Sequence, residues 1–360
     1  MRMQAASPDP PRGFSLTEIL VALLITMVLM SSVFLLLQKS QRSFAREPEV
    51  SYMNANARAG LDRISQDLSV AGFATPSTMA VMWFDGGGFT PDQISIVYAD
   101  PEFPVSRPRP CAIGGAAPCP TIGTSSVVNV DPFSFSPQPP NFEEAYQDGM
   151  VLFAIQGPNG DPACDAVPPG LAAFELTGTP MCTGAGGAAN GPSACGTLDL
   201  SLGPAPVVTD LSPPSGFDTD VSVNCAVIGL FHVVQYRVNP LPPASNPQLE
   251  RRDVAFPGPW SPVAGNIESF QVQYVQGLGE VFEDVPTLVP VGSDPNSWVT
   301  RVRITVGGRT ESTSLEGATP GVYAAGDTHL RRTFTTTVSL RNQLNQAAQK
   351  AIDLGLVGWN

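Results

Sequence analysis

Histidine is scarce in this chain: two residues in 360, His232 and His329. Neither stands near a cysteine at a metal-binding spacing, so a zinc site of Cys and His is excluded. His232 lies in an apolar stretch and reads as a satisfied sheet residue rather than a base. There is no GxSxG, no HExxH and no GxxxxGK[ST], the arrangements that would supply a nucleophile, a metal-bound water or a phosphate cradle. Residues 184–189, GAGGAA, fit GxGxxA only formally, because no strand pattern precedes them and cysteines flank them; they read as a loop. The acidic pairs Asp161/Asp165 and Asp218/Asp220 lack an EF-hand-like pattern and read as solvated turns. No enzyme, cofactor or metal is expected. Basic residues are also few: 73–360 carry 26 Asp and Glu against 12 Lys and Arg, a balance of −14. Such a surface repels phosphate backbones, so no nucleic acid partner is expected.

What the chain does have is one long apolar run. Residues 13–37 read GFSLTEILVALLITMVLMSSVFLLL, and 14–37 hold a single ionisable side chain, Glu18. About 20 apolar residues suffice to cross a bilayer. A secretory signal peptide has a shorter apolar core and a small-residue cleavage site after it, and neither applies here. A plain signal anchor explains the length but not the placement of Glu18. A carboxylate inside a membrane helix costs at least about 2.5 kcal/mol and needs a partner. If the chain is cut after Gly13, Glu18 becomes the fifth residue, one helical turn from a free α-amine. Arg2 and Arg12 on the leader side orient the N-terminus to the cytoplasm and the rest outward.

The helix is expected to go on. Pro48 should kink or briefly break it. Beyond it Val50, Met53, Ala57, Leu61, Ile64, Leu68 and Ala71 recur at steps of three and four, an apolar stripe with Arg58, Asp62, Arg63 and Asp67 on its flanks. Gly72 is the expected stop. Residues 14–72 would make a rod of roughly 88 Å at 1.5 Å per residue. A globular domain does not need such a rod; a filament subunit does.

The remaining 73–360 show short β-rich runs between Pro- and Gly-rich turns such as 101–110 and 136–141. Candidate strands are Gln93–Ala99, 150–155, 226–238, 269–275, 299–306 and 333–340. The length leaves room for one main domain with insertions. Six cysteines, Cys111, Cys119, Cys164, Cys182, Cys195 and Cys225, all lie beyond the apolar run. The even count outside the cytoplasm favours disulfides. Fifteen pairings are possible, and sequence neighbours (111–119, 164–182, 195–225) are the simplest. The bridges are expected to staple loops with little core of their own. Residues 111–224 read as a loop-rich insertion, and 343–354 as a short terminal helix.

The junction Gly13-Phe14-Ser15-Leu16-Thr17-Glu18 ahead of an apolar helix resembles the class III signal of type IV prepilins and pseudopilins. The resemblance implies that a membrane peptidase cuts after Gly13. It further implies that Phe14 is the N-methylated mature terminus and that Glu18 pairs with a terminal amine during assembly. Residues 54–73, NANARAGLDRISQDLSVAGF, resemble the N-A-R…L…L-S-x-D-L-R-x-A-G-[YF] stretch of PilW-type minor pilins and of J-type minor pseudopilins of type II secretion. Arg58, Asp67 and Ala71-Gly72-Phe73 match, and Ser69 stands where an arginine is common. Further stretches resemble PilW-type head strands: ISIVYA at 94–99, QYRV at 235–238, IESFQVQY at 267–274, WVTRVRI at 298–304 and FTTTVSLRN at 334–342.

The resemblance implies an α+β fold of the type IV pilin kind: a long N-terminal helix packed on a mainly antiparallel head with loop-rich, disulfide-containing insertions. It divides the chain into a leader (1–13), a membrane and assembly helix (14–37), its amphipathic continuation (38–72) and an extracytoplasmic head (73–360) holding a Cys-containing insertion (111–225). The implied protein is a non-enzymatic minor pilin that primes assembly or caps the tip. Its implied partners are a prepilin peptidase, other minor pilins, the major pilin and inner-membrane lipid. It would be placed first in the inner membrane with its head in the periplasm, then in the fibre. The alternatives are a J-type minor pseudopilin and a tip adhesin or ligand-binding module.

Overall fold

A computed structural model describes residues 15–75, 80–84, 91–109, 121–122, 127–156, 164, 170–183, 195, 197–201, 221–239, 247–254, 259–286, 299–313, 315, 318–320 and 328–342. The fold is α+β. A single helix, Leu16–Val70, runs 55 residues, about 82 Å at 1.5 Å per residue. It passes Pro48 without the expected break. Glu47 and Pro48 are exposed, so the carbonyl that proline leaves without a donor, that of Phe44, faces solvent that can serve it.

The helix has two halves. Its apolar first half is exposed throughout; it is long and apolar enough to cross a membrane. Its second half buries Met53, Ala57, Leu61, Ile64, Leu68 and Ala71, six of the seven stripe positions; Val50 is half-buried. Gly60 sits on the same face, where an added Cβ would meet Leu249 Cδ2 at 2.9 Å and Ala264 Cβ at 3.4 Å, so the helix lies close on the sheet there. The rod ends where expected: Gly72 adopts φ +75°, a conformation that favours glycine, and its N–H donates to Val97 O at 2.9 Å.

Two antiparallel sheets receive the helix. The first runs in the order Val81–Phe84, Gln93–Ala99, Phe231–Val238, Gln248–Asp253, Ser261–Gly265. The second is Ile267–Gln276, Val299–Arg309, Arg331–Ser339. Asn266, at φ +59°, is the one-residue corner between them, a conformation asparagine tolerates better than most side chains. Each candidate strand falls on an observed one, with one difference: 226–238 is two strands in two sheets. Ala226–Gly229 pairs with Val151–Gln156, whereas Phe231–Val238 sits in the first sheet. The uninterrupted apolar run hides the exchange at Leu230, whose carbonyl accepts from Asp100 N–H at 2.9 Å.

The insertion carries its own core. The sheets Ala226–Gly229, Val151–Gln156, Gly170–Glu175 and Val127–Val130, Thr197–Ser201, Met181–Thr183 enclose Val128, Val130, Phe142, Leu152, Leu198 and Leu200. Tyr146 is fully buried among them; its hydroxyl donates to Pro104 O at 3.0 Å and lies 2.9 Å from Ser106 Oγ. Phe153, Ile155, Leu171 and Val227 instead join the main core, which welds the insertion to the head. Two disulfides form, Cys164–Cys225 and Cys182–Cys195. This corrects two of the expected pairings, 164–182 and 195–225. Cys182 and Cys195, consecutive cysteines 13 residues apart, staple the pairing of Met181–Thr183 with Thr197–Ser201, whereas Cys164 reaches Cys225, 61 residues on. Cys164, Cys195 and Cys225 are buried, so the bridges pin a packed core rather than bare loops. Cys111 and Cys119, the loop 184–189, the acidic pairs near 161 and 218, and the segment 343–354 lie outside the described residues.

Candidate assembly site and its anchoring to the head

The helix begins with a capping box. Ser15 is the N-cap, at φ −76° and ψ 152°. Its hydroxyl accepts from Glu18 N–H at 3.2 Å, and Glu18 Oε2 accepts in return from Ser15 N–H at 3.0 Å and from Ser15 Oγ at 3.2 Å. Two of the four unpaired N–H groups at the helix start are thereby satisfied. The negative carboxylate also sits at the positive end of the helix dipole. Glu18 is thus placed by local sequence alone, S-x-x-E, a signal readable in the chain and not used above. Gly13 and Phe14 lie outside the described residues.

About 75 Å along the rod from Glu18, at 1.5 Å per residue, the helix is clamped to the head by one carboxylate. Asp67 Oδ2 accepts from Tyr236 OH at 2.5 Å and from Arg251 Nε at 2.9 Å, with Arg63 at 3.9 Å on its own helix. The Asp67 side chain is only 8% exposed, so its charge is compensated where it is desolvated. Tyr236 and Arg251 face each other across paired strands on the helix side of the first sheet. Burial, reinforced by the Asp67 hydrogen bond, pushes the Tyr236 phenol well above its ordinary value. Lower down, Asn56 Nδ2 donates to Gly265 O at 3.2 Å, and Glu49 accepts from Ser312 N–H at 2.9 Å. At the top, Asn342 Nδ2 donates to Ala71 O at 3.1 Å. The head therefore lies along residues 49–72 of the rod, about 36 Å, and residues 38–48 cross a gap between the apolar half and the head.

His232 marks the upper rim of the same sheet face. Its Nδ1 lies 2.5 Å from Asp253 Oδ2, its Nε2 lies 3.2 Å from Asp100 Oδ2, and its ring stacks on Tyr98 at 4.9 Å. Ionised carboxylates only accept, so both ring nitrogens must donate, which requires the charged imidazolium. The hydrogen bond to Asp253 raises the His232 pKa from 6.5 against the opposing effect of burial. Burial, with the nearby charges of Asp67 and Asp253, pushes Tyr98 up to about 12. The cluster is a structural ion triad. Among the described residues no group of His, Cys, Asp and Glu is arranged to hold a metal ion. His329, on the Thr328–His329 strand, is buried away from this triad.

Residues 11–34 match the family described as the prokaryotic N-terminal methylation motif. That match spans Gly13, Phe14 and Glu18 and all but the last three residues of the apolar run 14–37. No curated protein matches the chain. Among solved structures, a type IV-like pilin from Thermus thermophilus is similar at 12% identity, covering 54% of this chain and 84% of that one. The TM-score is 0.24, too low to carry weight on fold or function. The chain thus carries a prepilin-type methylation motif on a helix that fits membrane anchoring.

Proposed function

We propose that this chain is a minor pilin of the PilW type, a non-enzymatic subunit of a type IV pilus machine. The observation that carries the reading is the methylation motif over 11–34, with Glu18 held at the start of an exposed, membrane-length helix. A prepilin peptidase cuts after Gly13 and leaves Phe14 as the methylated N-terminus. Before assembly the Glu18 carboxylate is served by Ser15, which lowers the cost of keeping it in lipid. Cleavage then creates an amine on the adjoining residue, and in the assembled bundle a neighbour's amine supplies the full opposite charge. Differential burial of that charge fixes the axial register between subunits. The N-terminus faces the cytoplasm and the head the periplasm until the subunit joins other pilins.

The clamp at Asp67 supports this reading, because a subunit pulled from the membrane by its rod needs its head rigidly attached. Glu18→Ala tests it: processing persists, and the protein is lost from the sheared filament fraction. Normal incorporation of Glu18→Ala sinks the mechanism.

A further inference from the structure

A cleft lies low on the head, where the rod passes the corner between the two sheets. It encloses about 360 Å³, inside the range of about 300–1,000 Å³ usual for small-molecule sites. The rod contributes Tyr52 and Asn56, one helical turn apart on the same side. The head contributes Gln248, Asn266 and Glu311, with Val263 and Ala264 as an apolar patch. Rod and head are fixed relative to each other here. Asn56 Nδ2 donates to the carbonyl of Gly265, the residue that pairs with Gln248, at 3.2 Å. Ser312 N–H donates to Glu49 at 2.9 Å, which holds the Glu311 turn against the rod.

The polar side chains of this lining are left unused by the fold. Asn266 is the clearest case. It is only 5% exposed, and its backbone carbonyl accepts from Arg309 N–H at 2.9 Å, yet its side-chain amide has no partner among the described residues. The Gln248 amide, the Tyr52 hydroxyl and the Glu311 carboxylate are in the same position, and Asn56 uses only its Nδ2. Buried polar groups are as a rule hydrogen-bonded, so an amide left open at the wall of a cleft points to a partner that enters from it. The corner does not account for the amide. Glycine adopts the φ of +59° found at Asn266 at less cost, so the side chain adds something other than the turn.

The chemistry of the lining selects among ligands. Three amides, each both donor and acceptor, stand with a phenol and a carboxylate. None of the described lining residues is basic, so an anion finds no counter-charge and is repelled by Glu311. The Tyr52 ring is 57% exposed and offers an apolar face at the rim. A ligand that fits carries several hydroxyl groups around an apolar face and no negative charge.

We propose that this cleft binds a neutral mono- or disaccharide. The Tyr52 ring covers the apolar face of the sugar. Asn266 and Gln248 exchange hydrogen bonds with neighbouring hydroxyls, and Glu311 accepts from another. The site belongs to the head and does not depend on the filament reading.

The test titrates the full-length protein, in a detergent without a sugar headgroup, with glucose, galactose, mannose, N-acetylglucosamine, lactose and chitobiose. Saturation-transfer NMR reads contact and calorimetry reads Kd. The expected result is saturable binding of at least one of these sugars. Asn266→Gly keeps the corner and should weaken that binding about tenfold, the scale of one lost hydrogen bond. Tyr52→Ala changes an exposed helix position, so the fold is kept and binding should fall at least as far. If Asn266→Gly lowers the melting temperature, Tyr52→Ala decides alone. Absence of saturable binding by every sugar overturns the proposal. Binding that is unchanged in Tyr52→Ala overturns the placement of the site. Tighter binding of methylammonium than of any sugar, lost in Glu311→Gln, overturns the choice of ligand.

Discussion

Replacing Asp67 by alanine should loosen the rod from the head more than any other single change on the helix. The substitution removes the acceptor for Tyr236 OH and for Arg251 Nε. Breaking a buried ion pair by deleting one partner costs about 3–5 kcal/mol. The Arg251 side chain keeps 21% exposure and can turn partly to water, so the lower end, about 3 kcal/mol, applies. Asp67→Asn retains an acceptor and forfeits the charge, for about 1–2 kcal/mol. Tyr236→Phe removes one hydrogen bond while Arg251 still neutralises the carboxylate, for about 1 kcal/mol. Urea unfolding of the full chain in detergent, followed by tryptophan fluorescence, measures the series. Trp83 is buried in the same core, 5.8 Å from the Tyr274 ring centroid, and reports its loss. The order alanine, asparagine, phenylalanine is the expected ranking. A penalty below about 1 kcal/mol for Asp67→Ala would refute the argument that this carboxylate clamps the helix, since that is the size of one ordinary hydrogen bond.

His232 makes a pH-dependent contribution with a definite sign. Its pKa is raised in the folded protein, so its stabilisation is fully present below about pH 6.5, the unfolded value, and is lost as pH rises through the raised folded value. Melting temperatures of the native chain should therefore fall across that range, and His232→Gln should flatten that part of the profile; an unchanged slope in the variant contradicts the triad. Peptide mapping without reduction should recover the links Cys164–Cys225 and Cys182–Cys195, whereas a 164–182 link contradicts the fold of the insertion. With 61 and 13 residues enclosed, loop-closure entropy puts the loss of each bridge at about 4 and about 3 kcal/mol, readable as a drop in the unfolding midpoint of Cys→Ser variants. Removing the acceptor at the helix start by Glu18→Ala should leave cleavage intact and deplete the chain from filaments, as set out above.

Much of this architecture is legible in the chain because it is local. The apolar run from 14 to 37 and the stripe from Met53 to Ala71 are written at helical spacing, and the rod follows from them. Gln93–Ala99 and the strands near 270, 300 and 335 carry their own β-rich pattern. What stayed hidden is what folding brings together from afar. Asp67 lies 169 residues from Tyr236 and 184 from Arg251, and nothing near any of the three announces the clamp. The same holds for Cys164–Cys225, 61 residues apart, whereas Cys182–Cys195 spans only 13. The insertion's core was masked by its Pro- and Gly-rich composition, although Val128, Val130, Leu198 and Leu200 alternate in the manner of half-buried strands. The exchange of sheets at Leu230 left no polar residue to mark it. At Pro48 the helix runs on without a break, because an exposed helix turn can leave one carbonyl to solvent. The capping box was the opposite case: Ser15 and Glu18 stood in plain view.

We propose that cleavage of a prepilin form of this chain turns its membrane helix into an assembly device. N-terminal sequencing with mass analysis of the protein from its native membrane tests it most directly. The account predicts a mature chain beginning at Phe14, with a methyl group on its amine and Glu18 as its fifth residue. A mature chain that starts anywhere else, or that keeps residues 1–13, contradicts it.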